Sequence, residues 1–335
     1  DSGTGTDSGT GTDSGTDTDS GTDTDSGTGS DSGTGSDSGP DPDSGTGTDS
    51  GTDSGTGTDS GTPGTDSGTP GTDSGTPGTD AGVHPLETLI SGTWSLPPGT
   101  ESYKCVRLTL AHAIDVHRFH PIIPMGTHHT VLSVDPTGTM PDGVSDCSGF
   151  TNGPFMLFGS GLGTGDLTMP DGIAVHVDAG QQIVLNLHLF NLDTSHTLDG
   201  TSEIQIEQMD ASAVVNRAEI FLAGIDSGLV VPGHMESTAH GTCSPSTGHL
   251  FAVFPHMHQT AIHQTVTLMH HDGTTQSILD TDYSFDMQQY HDLAPQIDVT
   301  AGDKILVDCT YDNPGATKTF GESSTDEMCY AGIYR

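Results

Sequence analysis

The stretch QQIVLNLHLFN, residues 181–191, alternates strictly: Ile183, Leu185, Leu187 and Leu189 share one parity, Asn186 and His188 the other. Successive side chains of a strand leave opposite faces, so this period of two reads as a β-strand with an apolar face turned inward. DKILVDCTYDN (303–313) repeats the pattern with Ile305, Val307, Cys309 and Tyr311, and IHQTVTLMH and HHTVLSVD alternate in the same way. Between such runs stand turn clusters, DPTGTMPDG, SGLGTGD and DNPGAT. Long stripes of helical period do not occur. The expectation is an antiparallel all-β fold built as sandwiches.

That reading applies only to residues 81–335. Residues 1–80 contain only Asp, Ser, Gly, Thr and Pro in ragged repeats of DSGTGT and GTPGTDSGT. With no apolar side chain to bury, nothing offsets the backbone entropy of ordering, and a disordered acidic spacer is expected. A stalk that tethers the body to a surface and a plain solubilising leader fit it equally. The spacer holds 17 of the 46 acidic residues and no Lys or Arg, which leaves the body 29 acidic against 7 basic residues. A surface of that sign disfavours nucleic acid and anionic lipid. No run approaches the roughly 20 apolar residues of a membrane span. The change of texture at QMDASAV places a domain boundary near residues 209–213, giving 81–210 and 211–335. The sequence opens directly in the spacer, as expected of a mature, exported form. Cys105, Cys147, Cys243, Cys309 and Cys329 lie far apart with no CxxC pair, which favours disulfides in an oxidising compartment and leaves one thiol over.

Four places carry ligand-type residues. GTHHTVLSV holds adjacent His128 and His129; neighbours on a regular strand point apart, so both reach one metal only at a strand end or bulge. His188 stands opposite its leucines, where a lone imidazole is ordinarily just hydrogen-bonded or solvated. FPHMHQTA (254–261) puts His256 and His258 two apart on one strand face, a chelate geometry shared by zinc, copper and iron sites. STDEMCYAG holds Met328, and methionine is usually core filler. His117, His120, His263, His270 and His271 show how many imidazoles chance supplies. Jointly the pattern says more: three imidazoles before the boundary suit copper or zinc, while two imidazoles and a thioether after it suit copper that visits Cu(I).

In this order and spacing GTHHTVLSV, LNLHLFN, FPHMHQ and SSTDEMC resemble the copper type II, ascorbate-dependent monooxygenases, which include peptidylglycine α-hydroxylating monooxygenase and dopamine β-monooxygenase. The resemblance covers roughly residues 100–335. It implies two jelly-roll-like β-sandwich domains facing a solvent-filled cleft, with two coppers per chain. His128, His129 and His188 would hold the electron-transfer copper; His256, His258 and Met328 would hold the copper where O₂ and substrate meet. The implied chemistry is hydroxylation of a C–H bond of a small organic substrate, with ascorbate or another one-electron reductant as co-substrate. It also implies the pairs Cys105–Cys147 and Cys309–Cys329, with Cys243 left over. The family's peptide-amidating branch carries an arginine two residues before His-x-His and reads Met-Cys-Asn-x-Tyr. Here those positions are Phe254 and Met328-Cys329-Tyr330-Ala331-Gly332, which turns the expectation from peptides with a carboxylate to a neutral or aromatic small molecule. Asn186 stands where that branch has a glutamine and is expected to keep a polar contact to solvent. Two other classes compete: an exported copper-sequestering protein without turnover, and a surface structural protein with incidental histidines.

Overall fold

The computed structural model describes residues 83–149, 155–225 and 227–335; the expected spacer, residues 1–80, lies outside them. The described residues contain strands and turns and no helix, so no helix there is long and apolar enough to cross a membrane.

Eleven strands precede residue 219: β1 (Glu87–Leu96), β2 (Glu101–Thr109), β3 (Ile114–Ile122), β4 (Thr127–Asp135), β5 (Gly143–Asp146), β6 (Phe155–Gly161), β7 (Leu167–Thr168), β8 (Ile173–Val177), β9 (Gln182–Phe190), β10 (Leu198–Gln208) and β11 (Asn216–Ala218). Ten follow: β12 (Ile220–Gly224), β13 (Val230–Val231), β14 (Met235–Cys243), β15 (Gly248–Met257), β16 (Ala261–Met269), β17 (Thr275–Asp282), β18 (His291–Val299), β19 (Lys304–Asn313), β20 (Lys318–Thr319) and β21 (Cys329–Tyr334). The first group forms two sheets, ordered β1-β10-β3-β8-β11, with β7 on β3, and β5-β2-β9-β4-β6. The second forms β12-β21-β15-β18 and β14-β19-β16-β17, plus the β13-β20 ribbon. Pairing is antiparallel throughout except for β11 on β8. Texture in the sequence changes at 209–213; sheet membership changes between Ala218 and Ile220.

The alternation becomes burial. Ile183, Leu185, Leu187 and Leu189 of β9 are wholly buried, as are Ile305, Val307, Cys309 and Tyr311 of β19. Each set centres one of two hydrophobic clusters. The first cluster reaches across the changeover and takes in Phe251, Ala252 and Tyr334. Burial of this kind contributes on the order of 2 kcal/mol per large apolar side chain. Tyr334 also donates its hydroxyl to Leu157 O (2.8 Å) on β6, so its polar tip is satisfied inside the interface.

Both disulfides form as the family resemblance implies: Cys105–Cys147 anchors β2 to the segment after β5, and Cys309–Cys329 joins the two facing sheets of the later strands. Cys243 takes part in neither. Asn186 does not face solvent. It is buried, with its amide donating to Ser148 O (3.3 Å) and packed on Cys105 Sγ and Cys147 Sγ. The polar residue on the outer face of β9 therefore holds the disulfide loop in place.

Cys309–Cys329 closes a loop of 20 residues. In the chain-entropy picture its replacement by Cys309→Ser with Cys329→Ser costs about 3 kcal/mol. Urea unfolding followed by the fluorescence of the single tryptophan, Trp94, measures it. An unchanged midpoint would mean that this cross-link does not restrict the unfolded chain.

Candidate metal centre

The adjacent histidines meet the geometric condition set by their spacing. Thr127 of β4 pairs with Leu189 of β9, but His129 pairs with His188, so His128 is one extra residue on its strand. Such a bulge turns a side chain that would otherwise point away. Gly126 prepares it: its φ is +97° and a Cβ there would lie 2.7 Å from the Trp94 ring, so only glycine fits the entry to β4. The result brings the Nδ1 of His129 to 3.0 Å from that of His128 and 3.3 Å from that of His188. Among the described residues these three form the one group of His, Cys and acidic side chains with metal-ligand geometry.

Neighbours decide which nitrogen carries the proton on three of the five rings. His188 Nε2 donates to Glu101 Oε1 at 2.5 Å, which leaves the Nδ1 lone pair facing the other two imidazoles. Tyr103, beside Glu101 on β2, stacks on the His188 ring with centroids 4.4 Å apart and an interplanar angle of 5°. The second set is protonated the other way round. His256 Nδ1 donates to Gln288 Oε1 (3.0 Å) and His258 Nδ1 to Asp326 O (3.3 Å), so both Nε2 atoms are left as donors to a metal. Their rings stand 5.5 Å apart at 89°.

Glu327 fixes the loop that carries Met328. Its carboxylate is wholly buried and accepts from His258 N (3.1 Å), Thr260 N (2.8 Å) and Thr260 Oγ1 (2.6 Å). Tyr311 donates to Met328 O at 2.8 Å from the next strand. Met328 lines one cavity of about 260 Å³ together with His256 and His129. Its remaining wall is mostly apolar or aromatic, with Val131, Phe254, Phe320 and Tyr330 prominent, and Thr130, Ser160 and the acidic Glu322 are its polar members. In the cross-strand register Leu222, Gly332 and Phe254 fall in one row, and Gly224, Tyr330 and His256 in the next. The floor of the cavity is thus a sheet face, and Phe254 stands on it where the amidating branch has its arginine.

The two sets of candidate ligands meet instead of facing each other across solvent. The rings of His129 and His256 are 5.6 Å apart, edge to face. Phe285 lies against His128 at 4.1 Å and 6.0 Å from His258. Phe285 and Gln288 ride on a strap, residues 284–290, that the later strands lay over β6 and the turn after it. Gln288 N donates to Leu162 O (3.1 Å), Thr164 Oγ1 to Gln288 O (2.6 Å), and Tyr290 OH to Gly159 O (2.6 Å).

All five imidazoles are held neutral. Burial pushes His128 down to about 3, and pushes His129, His188, His256 and His258 below the ordinary imidazole value, with the neighbouring imidazoles adding to it and Glu101 and Gln288 opposing it. A neutral imidazole with its lone pair aimed at a shared point is what a metal ligand requires. His128 Nε2 is buried with no hydrogen-bond partner among the described residues. The donor sets fit copper: three nitrogens in one, two nitrogens beside a soft sulfur in the other.

Three positioning residues, Glu101, Gln288 and Phe285, were not legible in sequence, because each is distant from the ligand it touches. Glu327 had a signal, a charge at the threshold of an apolar strand. Since an unfolded histidine titrates near 6.5, below that pH the unfolded chain binds protons that the folded centre refuses. Stability of the metal-free protein therefore falls as pH drops from about 6.5 toward about 3, where His128 takes its proton. Urea titrations at pH 7.5 and 5 should show the difference, and His128→Phe should reduce it.

Comparison with known proteins agrees with this chemistry. Residues 216–334 match the family model described as copper type II ascorbate-dependent monooxygenase, C-terminal domain. A DBH-like monooxygenase protein 2 of Homo sapiens is 22% identical over 283 residues, covering 75% of this chain and 56% of that protein. The DBH-like monooxygenase protein 2 of Mus musculus is 22% identical over 270 residues, covering 70% and 43%. MOXD1 homolog 1 of Drosophila melanogaster is 30% identical over 133 residues, 34% of this chain and 18% of that protein. The chain spans about half the length of the first two relatives. Among solved structures, the STIV MCP gives a TM-score of 0.32 at 11% identity over 75% of this chain and 95% of that one. The major capsid protein P2 from bacteriophage PM2 gives 0.31 at 8% over 73% and 96%; likenesses this slight bear on neither fold nor function. By its matched segment, residues 216–334, its relatives and its ordered His and Met motifs, the chain is similar to the copper type II ascorbate-dependent monooxygenases.

Proposed function

We propose that this protein is a copper-dependent monooxygenase that hydroxylates a C–H bond of a small, largely apolar molecule, using O₂ and a one-electron reductant such as ascorbate. One observation carries the proposal: one histidine of each set, His129 and His256, borders a single largely apolar cavity together with the thioether of Met328. The overall change would be R–H, O₂, two electrons and two protons giving R–OH and water. His128, His129 and His188 would hold one copper through Nδ1; His256 and His258 through Nε2, with Met328, would hold the other. Bound copper would supply the redox equivalents and the activation of O₂.

The chain's own part is positional. Glu101 keeps the proton on the far nitrogen of His188, and Gln288 and Asp326 O keep it on the far nitrogens of His256 and His258. Phe254, packed on Tyr290 at 4.6 Å, and Phe320 keep water from the reacting end and leave nothing to neutralise a substrate carboxylate. Among the described residues that line the cavity there is no Lys or Arg, which supports a neutral or aromatic substrate over a peptide with a free C-terminus. We assign the two coppers to two jelly-roll-like sandwiches, residues 81–210 and 211–335. The two disulfides support an exported protein, extracellular, periplasmic or tethered through residues 1–80.

Metal analysis after reconstitution under reducing conditions should give two coppers per chain, and His188→Ala one. Equal loss of both in that variant would point to a single shared binuclear site. Met328→Leu keeps the bulk of a core side chain, so a packing role predicts wild-type turnover. As an oxygen-site ligand, its loss should lower ascorbate-supported O₂ consumption by at least about tenfold with the His128/His129/His188 copper retained. Copper uptake with no substrate-dependent O₂ consumption in the wild type would favour a sequestering protein.

A further inference from the structure

The cavity at His129 and His256 has a larger neighbour, of about 540 Å³, lined by Val134, Leu157 and Ile220 and by the charged Asp178, Arg217 and Glu219. Met156 and Leu222 stand on the walls of both. They belong to different sheets. Met156 is on β6, the edge of β5-β2-β9-β4-β6, and Leu222 is on β12, the edge of β12-β21-β15-β18. Among the described residues no backbone hydrogen bond joins these two edges. Further along, β6 is fastened to the later strands by the hydroxyls of Tyr334 on Leu157 O and Tyr290 on Gly159 O. At Met156 the partition consists of side chains alone.

Both side chains have room to move. Methionine is unbranched, with a thioether that re-packs readily. The Met156 methyl occupies space left by Gly159, where a Cβ would lie 2.6 Å from its Cε. Leu222 is 39% exposed and lies over Gly332, 3.7 Å from where a Cβ would stand. Rotamer changes at these two residues open the partition without breaking a main-chain hydrogen bond, a motion of the fast, low-amplitude kind. We propose that the seam between β6 and β12 is a port, through which small uncharged molecules pass from the outer cavity, between Met156 and Leu222, to the imidazoles of His129 and His256. The two residues of the partition are apolar, while Asp178, Arg217 and Glu219 line the outer cavity and Glu322 the inner one, so the seam itself favours uncharged molecules. Dioxygen and an apolar substrate are of the class it admits. The proposal concerns the cavity alone and does not depend on copper chemistry.

The test uses metal-free protein and diethyl pyrocarbonate, a small uncharged reagent that acylates neutral imidazole. Rates at His129 and His256 are read by peptide mass spectrometry against the exposed His240 and His249. Met156→Ala with Leu222→Ala should raise the two cavity rates ~10-fold relative to the surface pair, and Met156→Trp should lower them by a similar factor, because labelling follows the population of the open state. Gly159→Ala, which crowds the Met156 methyl from within, is a milder route to the open seam and should also raise them. Cavity rates that match wild type in Met156→Trp and Gly159→Ala, or that rise in Met156→Trp, would overturn the port. Since no metal is present, failure here leaves the monooxygenase reading to its own test.

Discussion

One extra residue in β4 sets the geometry on which the centre depends. A strand sends neighbouring side chains to opposite faces, so His128 and His129 on a regular strand would be separated by the thickness of the sheet. The register shift against β9 removes that separation and places His129 directly across from His188. What makes the shift tolerable is local: a glycine with φ of +97° at the strand entry, the Trp94 ring packed over it, and Thr127, buried, bonded to Ser202 at 2.7 Å. Three donors then converge without a flexible loop among them.

Convergence alone would yield repelling lone pairs or competing protons. The surrounding residues settle where the proton resides on three of the five rings, and they do so differently on the two sides: a carboxylate for His188, an amide oxygen for His256, a backbone carbonyl for His258. The cost of burying His128, His188 and His258, and of partly burying His129 and His256, is met by keeping them neutral, and burial itself enforces that. A second buried acid, Glu327, is used for position: three donors converge on it and hold the His-x-His turn against the strand that follows Met328.

Legibility followed sequence distance. The alternation at 181–191 and 303–313 was enough for an all-β fold, since one face of each strand is wholly buried. Two histidines at i and i+2 could be placed on one face, and two at i and i+1 could be recognised as needing an irregularity, because both statements concern a single strand. Where the strands go in space was not legible. His129 and His256 are 127 positions apart and touch, and the strap that carries Phe285 and Gln288 has no motif of its own. Asn186 shows the same limit from the other side: its parity was legible, but the disulfide loop that covers it comes from a different part of the chain.

Tyr334 and its neighbours in space, Phe251 and Ala252, lie in the later strands yet belong to the hydrophobic cluster of the earlier ones. The segment 216–334 that matches the C-terminal family model therefore shares part of its buried surface with the earlier strands. Cut out of the chain, it would present an aromatic face to water and leave a tyrosine hydroxyl without its acceptor at Leu157. Substitutions on β6 far from any histidine would then register first as poor yield of soluble protein, before any change in metal binding.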